Sequence, residues 1–151
     1  MIPINKSVLF ILLAAALMVI APASPRVAFG ADEKNKDTEL SKKMEEIQDG
    51  LKKLRRTVKD AANNKDTLET LNKLQELTVA SKALVPAKAA NVPEADRAKF
   101  VAGYRKSMAA LLEHFCKIET AVLDNDNAKA EELFKQLKKI EDDGHEKYSD
   151  Q

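Results

Sequence analysis

Asp37-Thr38-Glu39-Leu40-Ser41-Lys42-Lys43-Met44-Glu45-Glu46-Ile47-Gln48-Asp49-Gly50-Leu51-Lys52-Lys53-Leu54 reads as the start of an amphipathic helix. Its apolar positions are Leu40, Met44, Ile47, Leu51 and Leu54, continuing to Val58 and Ala61. The steps alternate four and three, which draws one continuous stripe along a helix. Asp37 or Thr38 can cap its N-terminus, with Glu39 in the first turn. This pattern predicts a helix over residues 37–62, ended by the polar break Asn63-Asn64-Lys65.

The same pattern recurs three times downstream. Residues 66–84 open on Asp66-Thr67-Leu68-Glu69, a capping-box pattern, and carry Leu68, Leu71, Leu74, Leu77 and Leu84, helped by Val79 and Ala80. Pro86 stops this second helix, and Val85 to Pro93 is the longest linker. A third helix is expected from Glu94 to Leu123, with Val101, Tyr104, Met108, Leu111, Phe115, Ile118 and Val122 on its stripe. Asp124-Asn125-Asp126-Asn127 is a break with ready N-caps. A fourth helix follows over residues 127–148, through Ala130, Leu133 or Phe134, Leu137, Ile140 or Glu141, Gly144 and Tyr148. No segment shows strand-like alternation. Four amphipathic helices on short links predict an all-α fold, an antiparallel up-down-up-down four-helix bundle.

Upstream lies a different kind of segment. Lys6 precedes an uncharged apolar run from Val8 to Ile20, shorter than the about 20 residues that span a bilayer. Residues 1–30 are therefore expected to be a secretory signal peptide. Ala28-Phe29-Gly30 before Ala31 is the favoured cleavage point, with Ala21-Pro22-Ala23 as a second and an uncleaved anchor as the alternative. The expected mature domain is residues 31–151, long enough for one domain and no more. The expected address is the periplasm, with no stable membrane insertion after cleavage.

Charge excludes one class of partner. Removing Lys6 and Arg26, with no acid, moves the net charge from +1 to −1. Nucleic-acid binding usually shows as a basic excess, and none is present. Cys116 is the single cysteine, so no internal disulfide can form. A monomer is expected, with Cys116 the one route to a covalent dimer.

The topology brings two distant residues together. The first helix begins and the fourth ends at the same end of the bundle. Met44 lies about 10 Å inside that end at ~1.5 Å per residue, and His145 sits about one turn from it. The start of the third helix brings Phe100, Val101 and Tyr104 to the same end, and the second helix contributes Ala83 and Leu84. A thioether and an imidazole among aromatic and aliphatic walls suit haem, whose iron takes Met and His as axial ligands. Gly144 beside His145 would let a porphyrin approach the helix backbone. Each residue also has an ordinary reading: Met44 as core filling, His145 as a cation on the helix dipole, Gly144 as an early C-cap.

The residues at these positions carry a resemblance. Met44-Glu45-x-Ile47-x-Asp49-x-Leu51-Lys52, Phe100-x-x-Gly103-Tyr104 and His145-x-Lys147-Tyr148 stand in order across the chain. They resemble the cytochrome b562 family, whose corresponding runs are Met-Glu-x-Leu-x-Asp-x-Leu-Lys, Phe-x-x-Gly-Phe and His-x-Lys-Tyr. Mature Ala31-Asp32 is similar to the family's start as well. The likeness spans essentially the whole mature chain. It implies a periplasmic four-helix electron-transfer protein with one non-covalent haem b. Met44 and His145 would be the iron ligands, and Phe100 and Tyr104 would line the pocket. The expected partners are unidentified redox proteins, and no enzymatic turnover is expected, because six-coordinate iron leaves no open position.

Departures accompany the likeness. Glu141 stands one turn before His145 where a member of the family carries Arg, and the third helix reads about one turn longer. No Cys-x-x-Cys-His occurs, which excludes covalent haem attachment and the cytochrome c′ family. A di-metal carboxylate bundle would want Glu-x-x-His on two helices. His145 has Asp142 three back and His114 has Leu111, so that pattern fails. His114 is expected at the core boundary or surface without a ligand role. The alternative function is a haem-free periplasmic bundle serving as an interaction or chaperone-like protein.

Overall fold

A computed structural model describes residues 38–149. The signal peptide and cleavage site expected in residues 1–30 lie outside the described residues. Four helices follow in order: α1 (Glu39–Thr57), α2 (Asn64–Ala83), α3 (Glu94–Leu123) and α4 (Asn127–Tyr148). They form the expected all-α up-down-up-down bundle, with no strand among the described residues. None of these helices is long and apolar enough to cross a membrane.

Local chemistry sets the helix ends. The Thr38 hydroxyl accepts from the Ser41 amide at 3.1 Å, starting α1. The expected end of that helix at residue 62 is corrected to Thr57. Asp60 accepts from the Ala62 amide and the Asn63 side chain, which folds residues 61–63 into a separate 3-10 turn. The capping box at Asp66 and Glu69 is also corrected, because α2 already begins at Asn64 and Asp66 lies inside its first turn. Asn64 is held instead by tertiary bonds, donating to Asn125 Oδ1 at 3.1 Å. Between α3 and α4, Asn125 takes φ 58°, a left-handed geometry that asparagine tolerates better than most residues. Asp126 then caps α4 through the Lys129 amide.

The linker over residues 85–93 is more ordered than a plain loop. Ala87–Asn91 form a 3-10 helix. Arg97 clamps it by donating to Ala89 O at 3.0 Å and Val92 O at 3.2 Å. Lys88 reaches the Glu146 carbonyl near the end of α4. The linker thus closes over the bundle end where α3 starts and α4 finishes.

The core follows the apolar stripes with one departure. Ile47, Leu54 and Val58 from α1 meet Leu71, Leu74 and Leu77 from α2, Phe115 and Ile118 from α3, and Leu137 from α4. Along α2, however, Val79 is 50% exposed, whereas Thr67, Thr70, Thr78 and Ser81 are buried. Threonine can bury its hydroxyl on a helix because the carbonyl four residues back accepts it. Thr70 does so to Asp66 O and Thr78 to Leu74 O, both at 2.7 Å. His114 is likewise buried rather than at the boundary, with Nε2 donating to Leu133 O at 2.7 Å across the α3–α4 seam.

Close approach between α1 and α2 rests on Gly50. A Cβ there would stand 2.7 Å from Leu74 Cδ2, so the fully buried Leu74 side chain would have to shift. Gly50→Ala is therefore expected to destabilise the fold by about 1–2 kcal/mol, even though alanine restores ~1 kcal/mol of helix propensity. Urea unfolding followed by circular dichroism reads the change. A raised midpoint would contradict the tight α1–α2 packing.

Candidate functional site

The four seams of the bundle are not alike. Backbones approach closely between α1 and α2, α2 and α3, and α3 and α4, whereas α1 and α4 barely approach each other. Side chains join this looser seam at two places. At the far end, Asn127 at the head of α4 donates to Val58 O at 2.9 Å and to Asn64 Oδ1 at 2.8 Å. At the near end, Gln48 Nε2 lies 3.3 Å from Glu141 Oε1 and 3.2 Å from His145 Nε2.

That contact fixes where Met44 faces. Gln48 points toward α4, and Met44 is one turn back, about 40° around the helix from it. Gly50, which faces α2, lies about 160° from Gln48 in the same projection, on the other side of the stripe. Gln48 is level with the Glu141–His145 turn. One turn back along α1 and one turn on along antiparallel α4 puts Met44 within about 3 Å of the level of His145. Met44 is partly buried against the core, and His145 is half-buried. By this helical reckoning Met44 and His145 stand at similar depth at one end of the bundle.

The expected aromatic residues gather beside them. Phe100 and Tyr148 meet edge to face with ring centroids 5.3 Å apart, and Tyr104 meets Tyr148 at 5.6 Å. Such edge contacts match the ring quadrupoles. Tyr104 is buried and donates to Ser81 O at 2.9 Å, which ties the start of α3 to the end of α2. Burial pushes its phenol up to about 12, so it stays protonated. Tyr148, three residues beyond His145, is the ring that links Phe100 and Tyr104 into one cluster. In sequence it was visible as the last member of the α4 stripe and of the His145-x-Lys147-Tyr148 run. Gly103 makes room for it, since a Cβ there would lie 2.9 Å from the Tyr148 hydroxyl. Beside this cluster an open groove of about 380 Å³ runs between α3 and α4, walled by Phe100, Gly103 and Tyr148 with Lys99 and Lys147 on its rim.

Gly144 answers differently from the other two glycines. It is helical, not a C-cap: α4 continues to Tyr148 and its cap is Ser149. A Cβ at Gly144 would meet nothing within 4 Å. No protein atom requires a glycine there, yet glycine costs ~1 kcal/mol in a helix interior. The bare backbone beside His145 faces open space.

Gln48 and Glu141 are the site residues that sequence reading missed. Gln48 sits among charged residues and looks like surface. The available signal was its spacing, four after Met44 on the flank of the stripe. Glu141 was noted as a possible stripe position and as a departure from a family member's Arg, and its partner across the seam could not be named.

Among the described residues no three His, Cys, Asp or Glu side chains converge as they would on a bare metal ion. Met44 and His145 are the soft and imidazole donors that the sequence places at this end. No curated protein and no solved structure matches the chain. A family model described as Cytochrome b562 matches residues 39–149, from the first residue of α1 to the cap of α4. The match covers all four helices, the Met44–His145 seam and the aromatic cluster, and the chain belongs to the cytochrome b562 family.

Proposed function

We propose that this chain is a one-electron carrier holding one non-covalent haem b in the α1–α4 seam, with Met44 and His145 as axial ligands. The observation that supports this reading is the contact of Gln48, one turn from Met44 on α1, with His145 across the loosely packed α1–α4 seam. Three features of the chain suit the group. The donors are one soft and one imidazole ligand, a set that haem iron accepts. The seam is the one where backbones stand apart. Gly144 leaves bare helix beside the imidazole.

When bound, haem supplies an iron that moves between Fe(III) and Fe(II), and a methionine ligand favours the reduced form. The chain's own residues hold and shield it. Met44 and His145 grip from α1 and α4. Phe100, Tyr104 and Tyr148 form an aromatic wall that keeps water from one side. With Met44 and His145 both committed to holding the group, the chain would offer it no substrate site, and the function would be transfer rather than turnover. The chain works as a periplasmic monomer that meets redox partner proteins by docking.

An absorption spectrum taken on adding haem, oxidised and then reduced, tests this reading. Sharp α and β bands with a stoichiometric endpoint are expected. A broad spectrum without an endpoint would point to the haem-free interaction protein instead. Met44→Ala supplies the finer test. It is expected to keep haem but become five-coordinate and mostly high-spin, with affinity reduced about 10-fold, in the range of lost metal-site interactions. A low-spin spectrum in that variant would rule Met44 out as a ligand.

A further inference from the structure

Gln48 touches the nitrogen that an iron would need. Its amide nitrogen lies 3.3 Å from Glu141 Oε1 and 3.2 Å from His145 Nε2. The two contacts together decide the chemistry of both side chains. An ionised carboxylate only accepts hydrogen bonds, so Glu141 can face the NH2 group of Gln48 but not its carbonyl. That fixes which way the amide points. The NH2 group has two hydrogens; one goes to Glu141 and the second points at His145 Nε2. Nε2 must then offer its lone pair, which puts the imidazole proton on Nδ1. Glu141 thereby sets the tautomer of His145 through Gln48, without touching the iron-binding position itself.

We infer that Gln48 is a placeholder and positioning residue for His145, an inference that rests on the haem reading above. Its amide holds the imidazole in the Nδ1–H tautomer, the form whose Nε2 can ligate iron. It competes for that same lone pair, so ligation requires the Gln48–His145 hydrogen bond to break. The Gln48 side chain swings out of the seam, and Nε2 needs no proton transfer before it can bind. Glu141 is the anchor that orients the amide.

The test has two arms. The first is nitrogen-15 NMR of the His145 ring in haem-free protein, at a pH where the ring is neutral. Wild type is expected to show the proton on Nδ1. Gln48→Leu and Glu141→Gln are expected to lose that preference and give a tautomer mixture, with helical content unchanged by circular dichroism. The second arm is stopped-flow haem uptake read in the Soret band. Removing one competing hydrogen bond, about 1 kcal/mol, corresponds to about fivefold, and the Nε2–H fraction that the variant then carries offsets part of it, so Gln48→Leu is expected to take up haem about twofold to fivefold faster than wild type. A wild-type proton on Nε2, or an unchanged uptake rate in Gln48→Leu, would overturn the placeholder role while leaving the haem reading standing. A wild-type chain without stoichiometric uptake would sink both.

Discussion

A chain carrying His145→Ala is expected to lose stoichiometric haem binding, with affinity falling about 100-fold or more, beyond the 10–100-fold typical of outer-shell changes. The loss should exceed that from Met44→Ala. Imidazole is a strong ligand for iron, whereas a thioether is a weak one. The fold itself should survive. His145 is half-buried near the end of α4, and its side-chain hydrogen bond is the one to Gln48. Far-UV circular dichroism should therefore match wild type while the Soret titration loses its endpoint. His114 supplies the control: it is the other histidine, buried, and committed to Leu133 O on the far side of α4. His114→Ala should keep the haem endpoint. A normal endpoint in His145→Ala would remove His145 from the site and, with it, the α1–α4 seam as the cofactor slot.

That α1 begins and α4 ends at one end of the bundle was legible from sequence, because it depends only on helix count and direction. Four stripes of the right period force an antiparallel bundle, and antiparallel helices put the start of the first beside the end of the fourth. Helix ends were legible where the cap is local, as at Thr38 and Asp126. They were misread where the deciding partner lies far away in the chain. Asn64 starts α2 two residues early because it is bonded to Asn125 and Asn127, which no local pattern reveals. The buried face of α2 was misread for another reason. Thr67, Thr70, Thr78 and Ser81 look polar in sequence, yet two of the hydroxyls are satisfied inside the helix and can be buried at little cost. Val79 takes the exposed side as a consequence. Gln48 was invisible because its meaning is a relation across the seam: an amide beside Met44 becomes informative only when Glu141 and His145 are seen to share it.

Phe115→Ala is expected to show the largest loss of stability, about 3–5 kcal/mol. Phe115 sits about two turns before the end of the 30-residue α3 and has no exposed surface. It belongs to the core cluster with Leu71, Leu74, Ile118 and Leu137, so its removal leaves a void bordered by three helices. Helix α3 packs closely on both α2 and α4, and neither neighbour can close in without disturbing its own seams. The loss is a large fraction of the 5–15 kcal/mol that a domain of this size holds. It should appear as a fall in Tm of about 12–20 °C, at about 4 °C per kcal/mol. By contrast, the ion pairs Lys138–Asp142 and Lys139–Asp143 are exposed i,i+4 pairs on α4, and breaking either should be nearly silent. The measurement belongs on haem-free protein first, because a ligand bound only to the folded state adds its own stabilisation and would mask the core defect. Repeating it with haem then separates the two functions of the bundle. If the seam and the core act independently, haem should raise the Tm of wild type and Phe115→Ala by similar amounts but leave His145→Ala unmoved. A Phe115→Ala loss under 1 kcal/mol would mean that the core collapses around the void, and that the α2–α3–α4 packing is far softer than its burial implies.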